Sequence, residues 1–341
     1  MWSADNTSRT SAGHNSNFFP ESTAPLYFWI FSGINGLVTL VCNSLVIFII
    51  LKRGRLFRNH SNWLLLSLAT ADLSVGTIMI PWIFVCFFDS TLPCHAEWNI
   101  SNIIFDMLLH ISVSNLCIVT MDRYLWVVFP MRYQDFMTCK SIIILIISSW
   151  LIPASFQTIH ALLEFKLSQD QNVNAEKVIS AIKVTVFEIA PCMLMLFVYG
   201  HIFRICWRHS RNISKINKSL YGKSKKEMTA RYNLTSTVKV FCAVIPVFIL
   251  CWVLAAYREI CNVYASCLVP SHLVHISRLL LKGHSMIDPI VYALQKRDIR
   301  KEMSKLLTDG NMDEIAGINE SNTRDGCVTS KMTKVKLIKR K

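Results

Sequence analysis

The sequence predicts an all-α membrane protein, a bundle of seven transmembrane helices followed by a short amphipathic eighth helix. Apolar residues make up 52% of the chain, charged residues only 17%, and the mean hydropathy is +0.37. Soluble domains contain about a quarter charged residues. Seven apolar stretches are long enough to cross a bilayer, because about 20 apolar residues span its hydrocarbon core. Each stretch should be helical, since a helix bonds its backbone polar groups internally.

The predicted helices divide the chain into four regions. They lie, in chain order, near residues 27–51, 62–87, 99–127, 141–162, 179–204, 236–260 and 270–294. The regions are an extracellular N-terminal tail (1–26), the transmembrane domain (27–294), an amphipathic interfacial helix (295–308) and a disordered cytoplasmic tail (309–341). The interfacial helix is predicted from apolar residues that recur at helical spacing on a basic background: Ile299, Met303, Leu306 and Leu307.

Basic residues predict the orientation of the bundle. They concentrate in the connections after the first, third and fifth stretches, and short basic loops stay on the cytoplasmic side. The N-terminus is therefore expected outside and the C-terminus inside, with Asn6 of the sequon Asn6-Thr7-Ser8 open to glycosylation. The net charge of +14 then reflects topology and attraction to anionic membrane lipid, and no nucleic-acid partner is expected.

Polar residues inside the apolar stretches are the first functional candidates, because they are costly in a membrane. The residues Asn43, Asp72, Ser112, His284, Ser285 and Asp288 lie in the first, second, third and seventh stretches. They would face one another in a single bundle. Asp72 and Asp288 could share a proton, a sodium ion or waters, and so bias two packings of the helices.

Short motifs in these stretches resemble those of class A, rhodopsin-family G-protein-coupled receptors over residues 27–307. They are Asn43, Leu68 to Asp72, Asp122-Arg123-Tyr124, Trp150, Pro191 with Tyr199, Phe248 with Cys251 and Trp252, and Asp288-Pro289 through Tyr292. The resemblance implies a plasma-membrane receptor, not an enzyme, with a heterotrimeric G protein, arrestin and receptor kinases as partners. It implies that Arg123 meets the G protein, that Tyr199 and Tyr292 swing toward it, and that Trp252 lies under the ligand.

The chain also departs from the family's usual pattern. Residues 154–190 contain no cysteine, so the usual disulfide between the third helix and the second outer loop cannot form, and Cys94 has no evident partner. Cys261 and Cys267 bracket a loop short enough to close in an oxidising compartment. These features, together with the aspartate of Asp288-Pro289 in the seventh stretch, resemble the melanocortin, lipid and adenosine branch. The resemblance assigns the packing switch to Pro191 and Phe248, beside Trp252.

The ligand pocket is predicted around Phe105, Asp106, Glu188 and Lys282. An amine receptor of this family would have an aspartate eighteen residues before Arg123, where this chain has Phe105. Lys282 stands seven positions before Pro289, which resembles the retinal-binding lysine of opsins. Two interpretations follow: a receptor for a small extracellular ligand without a cofactor, which is preferred, and an opsin-like photoreceptor with retinal on Lys282.

Other protein classes are not favoured by the sequence. A transporter more often shows paired halves with broken helices, and no repeat is visible. Histidines are scattered over different helices, without the clustered ligands that a membrane enzyme would need. No pair of cysteines or histidines has zinc-ligand spacing supported by a second pair, so the sequence predicts no metal site.

Overall fold

The described residues are helical, apart from short connections. The computed structural model describes residues 25–88, 100–170, 173–217, 249–261, 269–295, 299 and 301–302. The helices are α1 (Leu26–Lys52), α2 (Gly54–Phe57), α3 (Ser61–Phe88), α4 (Ile100–Val128), α5 (Tyr133–Phe136), α6 (Cys139–Asp170), α7 (Val173–Lys183), α8 (Ala190–Asn217), α9 (residues 249–261) and α10 (Ser271–Gln295). A π-helical segment, Val184–Ile189, joins α7 to α8. The all-α prediction is confirmed.

Long helices lie where the seven apolar stretches predict them. Within the described residues, five segments are long and apolar enough to cross a membrane by themselves: Leu26–Lys52, Ser61–Trp82, Ile103–Val128, Cys139–Leu163 and Lys177–Ile205. The sixth and seventh stretches correspond to α9, of which only residues 249–261 are described, and to α10. Charged residues such as Arg278, Lys282 and Asp288 lower the hydropathy of α10.

The helices pack around α4, which contacts α3, α6 and α8, while α1 contacts α3 and α10. One apolar cluster runs through the bundle and includes Val46, Leu68, Val113, Trp252 and Leu281. The helices are therefore held by packing between elements that are far apart in the sequence. This packing turns their polar residues toward a common interior.

The outer surface of the bundle is apolar. On α6, Ile144, Ile147, Leu151 and Ile152 are all exposed. In water such a surface would be a liability, whereas in a bilayer it faces hydrocarbon. The arrangement of polar residues inside and apolar residues outside is the one expected of a transmembrane bundle.

The π-helical segment changes which side chains face the interior. Pro191 follows it and has no backbone N–H to continue the helical ladder toward Phe187. Around this turn the buried residues recur at intervals of four: Lys183 and Phe187, then Val184 and Glu188. The wider turn of a π-helix suits that spacing, so Lys183 and Glu188 both point inward.

The chain after α10 is described only in part. Ile299 is buried in the main apolar cluster, and Glu302 pairs with Arg53 at 3.1 Å. The interfacial helix predicted for 295–308 stays a prediction, because most of these residues lie outside the described ones. Met303, Leu306 and Leu307 lie outside the described residues.

Candidate functional site

A polar centre lies in the middle of the bundle, as predicted. The Ser112 hydroxyl donates to Asp72 Oδ1 at 2.5 Å, and it lies 3.4 Å from Nε2 of His284. One ligand atom each from Asp72, His284 and Asp288 falls within 4.8 Å of the others. Asn43 donates to the Ser285 backbone carbonyl at 3.1 Å. The structure therefore joins α1, α3, α4 and α10 through polar side chains.

A second network lies at the inner end of α4. Asp122 Oδ2 accepts a hydrogen bond from the Ser61 hydroxyl at 2.9 Å. The same oxygen lies 3.3 Å from Arg123 Nη2, and this nitrogen also donates to the Ser61 hydroxyl at 3.3 Å. Tyr133 of α5 donates to Asp122 Oδ1 at 2.5 Å. Burial, and next the hydrogen bond to Asp122, raises the pKa of Tyr133 to about 12. The phenol is therefore neutral at cellular pH and remains a donor.

The predicted switch tyrosines occupy separate positions. Tyr199 shares a hydrogen bond of 3.2 Å with Thr120, and Tyr124 one of 3.2 Å with His201. The backbone of Tyr292 belongs to α10, but its side chain lies outside the described residues, as does Phe248. The predicted movement of Tyr199 and Tyr292 toward Arg123 stays a prediction.

Trp252 lies immediately above the polar centre. Its side chain is 1% exposed, and its ring stands edge-on to the ring of His284 at 5.9 Å. Pro191 is buried in the first turn of α8, two residues after the end of the π-helical segment. The packing of Trp252 is thus coupled by contact to the polar centre below it.

The outer half of the bundle contains a cluster of charged residues. Lys183 donates to Glu259 at 2.5 Å, which links α7 to α9. Asp106 of α4 interacts electrostatically with both of these residues, and Glu188 is 7% exposed in the π-helical segment. Oε2 of Glu188 is buried without a hydrogen-bond partner. The cluster places three carboxylates near one buried ammonium group.

Lys282 occupies a different environment from these charges. Its Nζ lies over the ring of Phe28 at 5.1 Å and over that of Phe105 at 5.6 Å, and the residue is 8% exposed. Such cation–π contacts stabilise a buried ammonium group. Asp106 and Glu188 interact electrostatically with Lys183, Glu259 and Arg258, and their predicted pairing with Lys282 stays a prediction.

Cys261 at the end of α9 forms a disulfide. Its predicted partner, Cys267, lies outside the described residues, so the pairing itself stays a prediction. The same holds for Cys94 and for the glycosylation candidate Asn6.

Sequence reasoning missed three parts of these sites. It did not assign roles to Ser61 and Tyr133, whose bonds to Asp122 depend on the placement of two short connections. It did not pair Lys183 with Glu259, which are 76 positions apart. Their occurrence in apolar stretches was the available signal, because a charge at that depth needs a partner.

Known protein families account for this architecture. Residues 42–292 match the profile of the 7 transmembrane receptor (rhodopsin family). The chain belongs to the rhodopsin family of seven-transmembrane receptors. It is a multi-pass plasma-membrane receptor that couples to a G protein and responds to a small molecule, and it is not an enzyme.

Curated relatives of this receptor include receptors for amines. Trace amine-associated receptor 1 of Mus musculus is 26% identical over 320 residues, which cover 87% of this chain and 93% of the relative. The human trace amine-associated receptor 1 is 26% identical and covers 80% of this chain and 84% of the relative. Octopamine receptor beta-2R of Chilo suppressalis is 24% identical and covers 87% of this chain and 84% of the relative.

These comparisons confirm the family but not the branch. The predicted melanocortin, lipid and adenosine branch finds no support among the reported relatives, and neither does the opsin interpretation. The branch was predicted from short motifs at the seventh helix and from the cysteine pattern. Such features are local, whereas the similarity to amine receptors extends over more than four fifths of the chain.

Proposed function

We propose that this receptor detects a small cationic amine at its outer end and activates a G protein at its inner end. The relatives named for trace amines and octopamine support the ligand class. The positive-inside distribution of Lys and Arg supports an extracellular N-terminus and a cytoplasmic C-terminus. Arrestin and receptor kinases would then meet the cytoplasmic side, and anionic lipid its basic loops.

The observation that carries the ligand proposal is the buried, unpartnered oxygen of Glu188. A buried carboxylate oxygen without a donor is costly, and a ligand ammonium group would supply that donor. The interaction would form a charge-assisted hydrogen bond in a low-dielectric site, where such bonds are strong. Glu188 is therefore the proposed amine anchor, the residue that binds the ammonium group of the ligand.

The remaining outer acids are less suited to this task. Glu259 is already bonded to Lys183 at 2.5 Å. Asp106 has the basic residues Lys183, Arg258 and Arg278 around it. Phe105 occupies the position where the family's amine receptors have their aspartate, and its ring contacts the ammonium group of Lys282. The anchor thus lies on the π-helical segment rather than on α4.

At the inner end, Arg123 would be the residue that meets the G protein. Its guanidinium is one-fifth exposed at the end of α4, while the paired carboxylate of Asp122 is buried. A partly exposed guanidinium can exchange its partner, and its planar donors suit backbone carbonyls or carboxylates of an entering protein segment.

The ligand proposal is tested by measuring G-protein activation in cells that express the receptor. Octopamine and 2-phenylethylamine serve as probes, with 2-phenylethanol as a neutral control. We expect at least one amine to activate the receptor and Glu188→Gln to raise its half-maximal concentration by at least about tenfold, since an ionic hydrogen bond contributes roughly 1.5–3 kcal/mol.

Asp106→Asn is the matched control and should change the half-maximal concentration of the amine by less than about threefold. No response to either amine, in cells with receptor at the surface, would contradict the proposal. An equal loss in the Asp106 and Glu188 variants would remove Glu188 as the anchor.

A further inference from the structure

A basic surface lies on the connection between α1 and α3, at the inner end of the bundle. Its cations are Lys52 in the last turn of α1, Arg55 in the short helix α2, and Arg58 directly after α2. All three are exposed, and within the described part of the chain none of them is in an ion pair. The neighbouring Arg53 differs, because it pairs with Glu302 at 3.1 Å. The other three cations of this connection are therefore open to a ligand.

The connection holds these cations in a fixed arrangement. The last carbonyl groups of a helix lack partners within it, and at the end of α2 two side chains of α3 supply the donors. Asn62 donates to the carbonyl of Leu56 at 2.8 Å, and the indole of Trp63 donates to the carbonyl of Phe57 at 2.8 Å. Leu56 is 4% exposed, so burial of an apolar side chain also holds α2 in place. Such a preorganised surface loses less conformational entropy when it binds a ligand.

The cations adjoin the lipid-facing surface of α1. Arg55 and Arg58 are three residues apart, a spacing that places side chains on one side of a helix. Lys52 lies four residues after Phe48, so these two share one side of α1. Phe48 and Leu51 are 43% and 54% exposed, and in a bilayer such apolar side chains face hydrocarbon. Exposed cations therefore follow directly on exposed apolar side chains at the end of α1.

An aromatic cluster lies beside the cations. The ring of Phe57 is 5.9 Å from that of Trp63, which is 5.0 Å from the ring of His60, and Phe57 is 42% exposed. Tryptophan is enriched where the hydrocarbon of a membrane meets water. We therefore expect α2 to lie at the level of the lipid headgroups.

We infer that Lys52, Arg55 and Arg58 bind the headgroup of a phosphoinositide in the cytoplasmic leaflet. This binding deepens the proposed contact between anionic lipid and the basic loops, and it rests on the proposed cytoplasmic placement of this end. Arginine binds phosphate through paired N–H donors. A headgroup with several phosphates matches three clustered cations, whereas phosphatidylserine carries one net negative charge. The acyl chains would lie along Phe48 and Leu51, a surface that a soluble phosphate compound would leave uncovered.

Binding of acyl-labelled fluorescent phosphatidylinositol 4,5-bisphosphate to the purified full-length receptor in detergent tests the inference. The assay contains no amine, and both ends of the receptor are accessible, so its result is independent of the ligand proposal and of orientation in a cell. We expect tighter binding than of phosphatidylserine. Arg55→Gln combined with Arg58→Gln should weaken binding by at least about tenfold, since each cation near anionic lipid contributes about fivefold.

Arg132→Gln combined with Lys140→Gln is the matched control, because both residues are also exposed cations at the inner end. It should change the lipid affinity by less than about threefold. Equal losses in the two double variants overturn the inference, as does equal affinity for phosphatidylserine or for soluble inositol 1,4,5-trisphosphate.

Nucleotide exchange on reconstituted G protein separates a lipid from a protein partner. An Arg55 and Arg58 double variant that keeps its lipid affinity but loses exchange overturns the lipid assignment in favour of the G protein. If this variant does not fold, wild type decides: a preference for the bisphosphate over phosphatidylserine at equal total charge supports the inference, and equal binding overturns it.

Discussion

The two ends of the bundle use charge in different ways. At the outer end, an ion pair joins α7 directly to α9 through Lys183 and Glu259. At the inner end, Asp122 and Arg123 are neighbours in the chain, and their further partners, Ser61 and Tyr133, are neutral. The Lys183–Glu259 pair therefore connects two separate helices, whereas Asp122 and Arg123 pair within α4 and are linked to α3 and α5 by neutral side chains. A second inner pair, Arg53 with Glu302, joins the end of α1 to the chain after α10.

This difference separates the tasks of the two ends. A ligand that competes for the outer charges can change how α7 and α9 are held together. The described residues of α9, 249–261, do not take part in the network of Asp122, Arg123, Ser61 and Tyr133. Substitutions at the two ends should accordingly have different effects.

The largest effect is expected for Arg123→Ala. It should reduce agonist-stimulated nucleotide exchange to the unstimulated level, because the guanidinium that would contact the G protein is lost, while ligand binding and surface expression stay near wild type. Nucleotide exchange is measured on reconstituted G protein, and ligand binding is measured with a radioligand. Arg132→Ala, an exposed arginine in the next connection, is the control. Unchanged exchange in Arg123→Ala would exclude the arginine from coupling.

Lys183→Met and Glu259→Met should each destabilise the receptor by about 3 kcal/mol, because each leaves a buried charge without its partner. The double variant should lose less stability than either single variant, since two apolar side chains then pack together. Thermal denaturation of the purified receptor gives the comparison. Additive losses in the double variant would show that the two residues act independently.

A smaller effect is expected for Tyr133→Phe, which removes one hydrogen bond to Asp122. A typical bond of this kind contributes about 1 kcal/mol, so basal nucleotide exchange should rise by about fivefold. Gln134→Ala on the same short helix is the control.

The effect of Tyr133→Phe should not depend on pH between about 6 and 8. The pKa of Tyr133 is raised to about 12, whereas an unfolded tyrosine titrates near 10. The stabilisation from the neutral phenol is therefore fully present below about pH 10. It is lost as the pH rises toward the pKa of about 12 in the folded protein. A variant effect that changes between pH 6 and pH 8 would place the titration on another group.

No effect is expected from 11-cis-retinal. The ammonium group of Lys282 lies against Phe28 and Phe105, and Asp106 and Glu188 interact with other cations. Acid trapping should therefore give no retinal adduct in wild type or in Lys282→Ala. An adduct that is present in wild type and lost in the variant would restore the opsin interpretation and contradict the amine proposal.

Composition and polar placement were sufficient to predict much of this architecture. The apolar stretches predicted the long helices to within a few residues at most described ends, because bilayer thickness fixes their length. The cost of polar groups in hydrocarbon predicted that Asn43, Asp72, Ser112 and Asp288 would meet. Both predictions depend on the membrane as a solvent rather than on details of packing.

The missing parts depend on three-dimensional arrangement. Tyr133 reaches Asp122 only because α5 folds back beneath α4, and no periodicity in the sequence predicts that turn. Lys183 and Glu188 are five positions apart, which on an α-helix places them on different faces. The sequence contains Pro191, but a proline alone does not reveal whether the helix kinks, breaks or widens.

The π-helical segment Val184–Ile189 also affects how this chain should be aligned with its relatives. A π-turn contains one more residue than an α-turn, and one residue corresponds to a rotation of about 100°. A relative without this wider turn would need a one-residue gap to keep its inward-facing positions matched to residues 173–183. Inserting or deleting one residue here would rotate the outer end of the helix, so ligand preference in this receptor could change without any substitution in the pocket.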